Sequence, residues 1–310
     1  MINPKKFPVV KTDSLEWVFV TRNAPDDINE LRRRYRYHPL DLRDILPPVQ
    51  RPKVVARDGY VFMILLFPIF DRKLRQIRAT EVDFFVSPER LITVNVDGYE
   101  PLKGLFESCL QGSSQRRICL SGDVSQLLYA VLNDMLMSVF PMLVHINTDL
   151  DSIEKRMFTQ YEKNLIQELL RIKMNVVNVR KAMQGHRHTI QCLVETAPAF
   201  LPIHRLRDYF DELVDHTKEI WETLQIQKDT VDALHETNQS LIDFRINEII
   251  KTLTIISVIV FPLTLMAAIF GMNVENMPIV SHPQSFWIIL ALMAAGSGGM
   301  LFYFKYRKWF

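Results

Sequence analysis

The chain has 310 residues, 48% of them hydrophobic and 23% charged, with Lys+Arg 37 against Asp+Glu 35. A net charge of +2 offers no basic face of the kind that nucleic-acid binding requires. Three scattered cysteines, Cys109, Cys119 and Cys192, exclude a disulfide framework or a CxxC metal knuckle. They read as buried or incidental thiols of a domain facing the cytosol.

The opening MINPKKFPVV carries two lysines but no apolar stretch behind them, so no secretory leader is expected. LEWVFVT (15–21) reads as a strand, and Pro25 opens a helix with acids in its first turn. HPLDLRDIL (38–46) reads as a short helix closed by Pro47-Pro48. VVARDGYVFMILLFPIF (54–70) holds an Asp58-Gly59 turn signal, and EVDFFVSPERLITVNVD (81–97) reads as a hairpin turning at Ser87-Pro88. Residues 1–123 are therefore expected to form an α/β domain with a mixed or mostly antiparallel sheet.

From 124 to 251 the pattern changes to long helices. One is expected over 124–159 with a kink at Pro141, and a second over 161–190. A third starts near Ile203 and meets no Pro or Gly before Pro262. If helical to Phe270 it spans roughly 100 Å. Ordinary helices run to about three turns, so this one needs neighbours, most simply copies of itself.

Two charge-free stretches follow, Thr252 to Phe270 and Phe286 to Phe304. Each is close to the roughly 20 residues that cross a hydrocarbon core of about 30 Å. Lys251 precedes the first, and Lys305, Arg307 and Lys308 follow the second, while the segment 271–285 has neither Lys nor Arg. The positive-inside rule then places both termini and the basic tail 305–310 in the cytoplasm and the short loop outside. Trp287 toward the outer end and Tyr303, Tyr306 and Trp309 toward the inner end suit an aromatic belt. The small-residue run 294–299 permits close helix packing or is slack in a lipid-facing helix. The fold class is thus an α+β membrane protein: cytoplasmic α/β domain, helical stalk continuous with the first span, and a second span.

Asn247, Ile250, Leu253, Ser257, Phe261 and Thr264 recur at steps of three and four, a spacing that holds one stripe toward a shared axis. Ordinary helix packing, with Ser and Thr bonding back to the helix, is the alternative. At the outer end of the first span stands Gly271-Met272-Asn273, followed by Val274-Glu275-Asn276-Met277-Pro278. With Pro262-Leu263-Thr264 before it, this stretch resembles the CorA family of divalent-cation channels, whose signature is GMN closing the first of two C-terminal spans. The likeness covers the whole plan of the chain.

The resemblance implies a homopentamer in a cell (inner) membrane whose first spans line a central pore for Mg²⁺. Asn247 through Leu253 would form the inner neck with its apolar gate, Phe261 and Thr264 would lie further out, and Asn273 would ring the outer mouth. Mg²⁺ holds six oxygens and dehydrates reluctantly, so a ring of neutral amide oxygens bonding to coordinated water suits it as a filter. Gly271 lets the helix end there. The chain departs from the family at Phe270, where Tyr is common, and at Ile279, where many relatives carry an acid. Glu275 is then the loop's only acidic residue.

Family members are closed by cytoplasmic Mg²⁺ held between protomers by acids. Here Asp211, Glu212, Asp215 and Glu219 cluster at helical spacing on the stalk, Glu212 matching the family's stalk carboxylate. Glu81 and Asp83 are candidates for the facing partner, and a solvated acidic face is the alternative. Hard oxygen ligands suit Mg²⁺ as both cargo and regulator. His186-Arg187-His188 reads as a surface tract, since residues two apart do not share a helix face. No GxSxG, P-loop or HExxH is present, so no enzyme activity and no organic cofactor are expected. Zn²⁺, Co²⁺ or Ni²⁺ transport on the same scaffold and a non-conducting membrane-anchored sensor are the competing readings.

Overall fold

The computed structural model describes residues 7–21, 25–95, 98–112, 122–159, 164–198, 200–272, 284–307 and 309. The chain divides into two compact units, Met1–His235 and Glu236–Phe310.

The first unit is built on a six-stranded sheet of order β1-β2-β6-β5-β4-β3. The strands are β1 (Val9–Lys11), β2 (Glu16–Thr21), β3 (Lys53–Arg57), β4 (Tyr60–Asp71), β5 (Gln76–Ser87) and β6 (Arg90–Asn95). Among the described residues β2 and β6 pair in parallel and the other four pairs are antiparallel, so the sheet is mixed. β3 and β4 meet at a two-residue turn where Gly59 takes φ +84°, a left-handed conformation that costs glycine little because it lacks Cβ. β4 and β5 are longer than the sequence pattern suggests, pairing from Val61↔Val86 to Asp71↔Gln76.

Alternation along the strands makes two apolar faces. On one, Val18, Val20, Phe62, Ile64, Phe85 and Ile92 pack with Ile28 and Leu31 of α1 (Pro25–Tyr35) and Leu42 of α2 (Pro39–Asp44). On the other, Trp17 and Phe19 each place their ring 5.1 Å from that of Phe106. Phe106 belongs to α3 (Glu100–Leu110), a helix not anticipated from the pattern. Burying both faces explains the near-continuous apolar run of β4.

The expected helix over 124–159 is two: α4 (Val124–Met137) and α5 (Phe140–Thr159). Pro141 opens the second helix instead of kinking a single one, because its missing N–H costs nothing in a first turn. Asp123 caps α4, its carboxylate accepting from the amides of Ser125 and Gln126 at 2.9 and 3.1 Å. This stretch is apolar enough to cross a membrane, but 44% of its most apolar window is already buried within the chain. The helix expected over 161–190 also divides, into α6 (Leu165–Met183) and α7 (His186–Thr196). A Cβ on Gly185 at the break would lie 2.6 Å from Pro52, so the close approach of the β3 entry requires glycine there.

After a 3-10 turn over Ile203–Leu206, α8 runs unbroken from Arg207 to Phe270 with Pro262 inside it. At 1.5 Å per residue its 64 residues make about 96 Å of helix. In the second unit, α9 covers Ser285–Tyr306. The most apolar windows of α8 and α9 are 6% and 0% buried, as expected of helices whose solvent is lipid. Where the two helices meet, Ile255 and Phe304 are buried. Beside them Gly296 and Gly299 floor a groove of about 490 Å³ facing Thr254 and Val258.

Candidate functional site

The stripe of the second unit lies on α8 itself. At 100° per residue its six side chains fall within a sector of about 120°. Asn247 and Thr264 are exposed and Ser257 half-buried, while Ile250, Leu253 and Phe261 are 54%, 63% and 71% exposed. Packing within the chain's own second unit therefore does not account for the stripe. Thr264 donates its hydroxyl hydrogen to Val260 O at 2.9 Å, as Ser and Thr in apolar helices do. Its oxygen lone pairs remain available as acceptors. No acidic or basic side chain interrupts the helix between Lys251 and Phe270.

The helix ends where the motif begins. Gly271 donates its amide to Ala267 O at 3.0 Å and Met272 donates to Ile269 O at 3.2 Å, a tightened last turn. A Cβ on Gly271 would stand 3.0 Å from Ala267 O, so the glycine lets the chain leave without pushing on that carbonyl. Met272 is exposed. Asn273 and Glu275 lie outside the described residues.

The stalk acids belong to the first unit. Asp211, Glu212, Asp215 and Glu219 are all exposed and share a sector of about 100° of α8. Tyr129 on α4 donates its hydroxyl to Glu212 Oε2 at 2.8 Å, and His216 Nε2 lies 3.8 Å from Glu212 Oε1. Burial and then this carboxylate hold the Tyr129 phenol protonated, its pKa pushed up to about 12. Asp211 lies 3.8 Å from Arg207. Tyr129 is a contact that sequence reading missed; it stands 83 positions from Glu212, and no local pattern links the two.

Glu81 and Asp83 are placed differently. Both are closed off from solvent, at 1% and 0% exposure, on the face of β5 that carries Phe85. Glu81 Oε2 accepts from the Gln50 amide. Among the described residues no three His, Cys, Asp or Glu side chains converge within the single chain.

The histidine tract is not wholly a surface feature. His186 is fully buried with its ring 4.9 Å from that of Phe67, and burial lowers its pKa to about 4. His188 points out and lies 3.6 Å from Cys192 Sγ. Two positions apart on α7, the two rings point to different sides of the helix.

The model of the family described as CorA-like Mg2+ transporter protein matches residues 12–307. The cobalt/magnesium transport protein CorA of Thermotoga maritima is 28% identical over 295 residues, 94% of this chain and 83% of the relative. That of Methanocaldococcus jannaschii is 22% identical over 296 residues, 95% and 90% of the two chains. Among solved structures, the complete CorA magnesium transporter from Methanocaldococcus jannaschii matches with a TM-score of 0.84 at 20% identity, covering 96% of this chain and 92% of that one. The full-length CmaX protein matches with a TM-score of 0.74 at 17% identity, over 95% and 89%.

Proposed function

From the premise that the chain belongs to the CorA-like Mg²⁺ transporter family, a family of divalent-cation transporters, we propose that it is a homopentameric Mg²⁺ channel of the cell (inner) membrane. Residues 252–270 form the pore-lining span, 271–285 the outer loop, 286–304 the second span, and both termini lie in the cytoplasm. The observation that carries this reading is the uninterrupted α8, which carries the stripe and ends in the turn at Gly271 and Met272.

Five copies of Asn273 would ring the outer mouth with amide oxygens that accept from the water shell of Mg²⁺, and Glu275 would draw cations to the loop. A shell of water held at 2.0–2.1 Å is costly to strip, so hydrogen bonding to the hydrated ion, without a fixed charge in the span, is the cheaper way to select it. Ile250, Leu253 and Phe261 would close the path as apolar rings that dewet. Stalk carboxylates Asp211, Glu212, Asp215 and Glu219 would hold cytoplasmic Mg²⁺ between protomers, since exposed carboxylate oxygens are the ligands Mg²⁺ takes. Withdrawal of that Mg²⁺ would leave the acids mutually repelling and loosen the ring.

Co²⁺ is the second reading, favoured by the likeness to the cobalt/magnesium transport protein of Thermotoga maritima. The stripe has no Cys or His, the ligands that would prefer zinc. Uptake into liposomes carrying the purified protein tests the proposal. Mg²⁺ flux lost in Asn273→Ala is the expected result. Equal flux in both proteins would reject the filter, absence of wild-type flux with internal Mg²⁺ removed would favour a sensor, and preferential Co²⁺ uptake would change the cargo.

A further inference from the structure

We propose that a groove of the first unit, between α6 and the stalk part of α8, binds a nucleoside polyphosphate. Along α6, Lys173, Val176, Val177, Arg180, Lys181 and Gln184 share one face by their spacing of three and four. Opposite them the stalk presents Trp221, Lys228 and Val231, and the space between is about 410 Å³. A second hollow of about 300 Å³ shares Gln184 and Trp221 and adds Arg187, Lys218 and Glu222. Both volumes lie in the range of small-molecule sites, which start at about 300 Å³.

The chemistry of the walls selects the ligand. The floor is apolar, formed by the valines and by Trp221, which is 37% exposed. Arg180 sets its guanidinium over the Trp221 ring, 4.8 Å from its centre, a cation–π pair whose planar cation, held by the indole beneath it, is a platform for a flat ring. Lys173 and Lys228 both reach Asp232, at 2.8 and 3.0 Å, and Lys228 also meets Asp229 at 3.3 Å. Lys218 lies 3.8 Å from Glu222. Lys181 and Arg187 are exposed and have no acidic partner among the described residues. The groove thus holds six cationic side chains against the three carboxylates Glu222, Asp229 and Asp232.

A simple inorganic anion makes no use of the aromatic floor, and an apolar ligand leaves the free cations unanswered. A planar base joined to several phosphates uses both: the ring rests against Trp221 and Arg180, and the phosphates lie toward Lys181 and Arg187. Charge-assisted contacts to phosphate oxygens, the Arg ones able to be bidentate, then supply the strongest bonds.

Calorimetric titration of the full-length protein in detergent with ATP, at fixed free Mg²⁺, tests the site, with inorganic tripolyphosphate as the ringless control. Saturable ATP binding is expected. It should weaken at least tenfold in Trp221→Leu and in the double variant Lys181→Glu/Arg187→Glu, whose two positions are exposed and place no demand on folding. Tripolyphosphate should bind at least tenfold more weakly than ATP. The proposal is overturned if the wild type shows no saturable binding, if the charge reversal leaves binding unchanged, or if tripolyphosphate binds as well as ATP. It is equally overturned if the charge reversal alters the oligomeric mass by light scattering, since the groove is then a contact between subunits. Binding is read without ion flux, so its outcome is separate from that of the transport assay.

Discussion

Tyr129 donates its hydroxyl to Glu212 across 2.8 Å, joining α4 to the stalk at the carboxylate that the proposed function assigns to regulatory Mg²⁺. One lone pair of that carboxylate is therefore already engaged within its own protomer. A cation arriving between protomers must share Glu212 with a phenol.

Removing the phenol should make inhibition by internal Mg²⁺ tighter. In Tyr129→Phe the half-inhibiting Mg²⁺ concentration is expected to fall about threefold to tenfold, the worth of one modest hydrogen bond. The paired change Glu212→Gln/Asp215→Asn should raise it. Inhibition unchanged in both, measured by flux at stepped internal Mg²⁺, removes these stalk acids from the regulatory site.

The apolar part of the stripe carries a second expectation. Leu253 is 63% exposed on the chain and is proposed to form a dewetting ring with its copies. Leu253→Asn should hydrate that ring and give Mg²⁺ flux at internal Mg²⁺ concentrations that silence the wild type. A variant that stays silent there, with normal assembly, places the gate elsewhere.

His186 makes the first unit acid-sensitive in a definite window. Its folded pKa is lowered to about 4 from 6.5, so between those values the unfolded chain binds a proton that the folded chain does not. Stability is therefore fully present above about 6.5 and lost as pH falls toward 4. At 1.36 kcal/mol per pH unit the loss is roughly 3 kcal/mol. His186→Phe, set edge-on to Phe67 as the imidazole is, should flatten the unfolding temperature of the detergent-solubilised protein over this window. A slope retained in the variant assigns the effect to other groups.

A buried carboxylate paired with a half-exposed arginine governs stability at lower pH. Asp41, 1% exposed, accepts from Tyr60 Oη at 2.6 Å and from Arg57 Nη2 and Nε at 2.7 and 3.0 Å. Burial raises its pKa, but the bonds from Arg57 and Tyr60 outweigh that and hold it below the usual carboxylate value. Its contribution is present above the unfolded carboxylate pKa and disappears as pH falls through the lower folded one. Arg57→Ala should cost about 2 kcal/mol by removing two charge-assisted bonds from the carboxylate. Chemical denaturation at pH 7 measures it, and a loss under about 1 kcal/mol would mean water replaces the guanidinium.

The two spans, the long helix and the mixed sheet were legible in the residues because each rests on a local property. Charge-free stretches of about 20 residues, flanked by Lys251 and by Lys305 and Arg307, state their solvent directly. A run from Ile203 to Phe261 without Pro or Gly leaves no place for a break, and strand alternation marks its own faces. The six stripe positions can be grouped from the residues alone, since helical spacing decides which side chains share a side of α8.

What only the tertiary structure decided are relations between distant residues. Glu81 and Asp83 read like any acids in a strand, and only the assembled fold closes both off from solvent. His186 and His188 look alike in the tract, yet packing against Phe67 buries the first and the second, two positions on, faces out. The Tyr129–Glu212 bond and the cationic groove around Trp221 join helices far apart in the chain. Local pattern reports which face of an element is apolar; it carries no record of which other element covers that face, and burial, pKa and partners all follow from the covering.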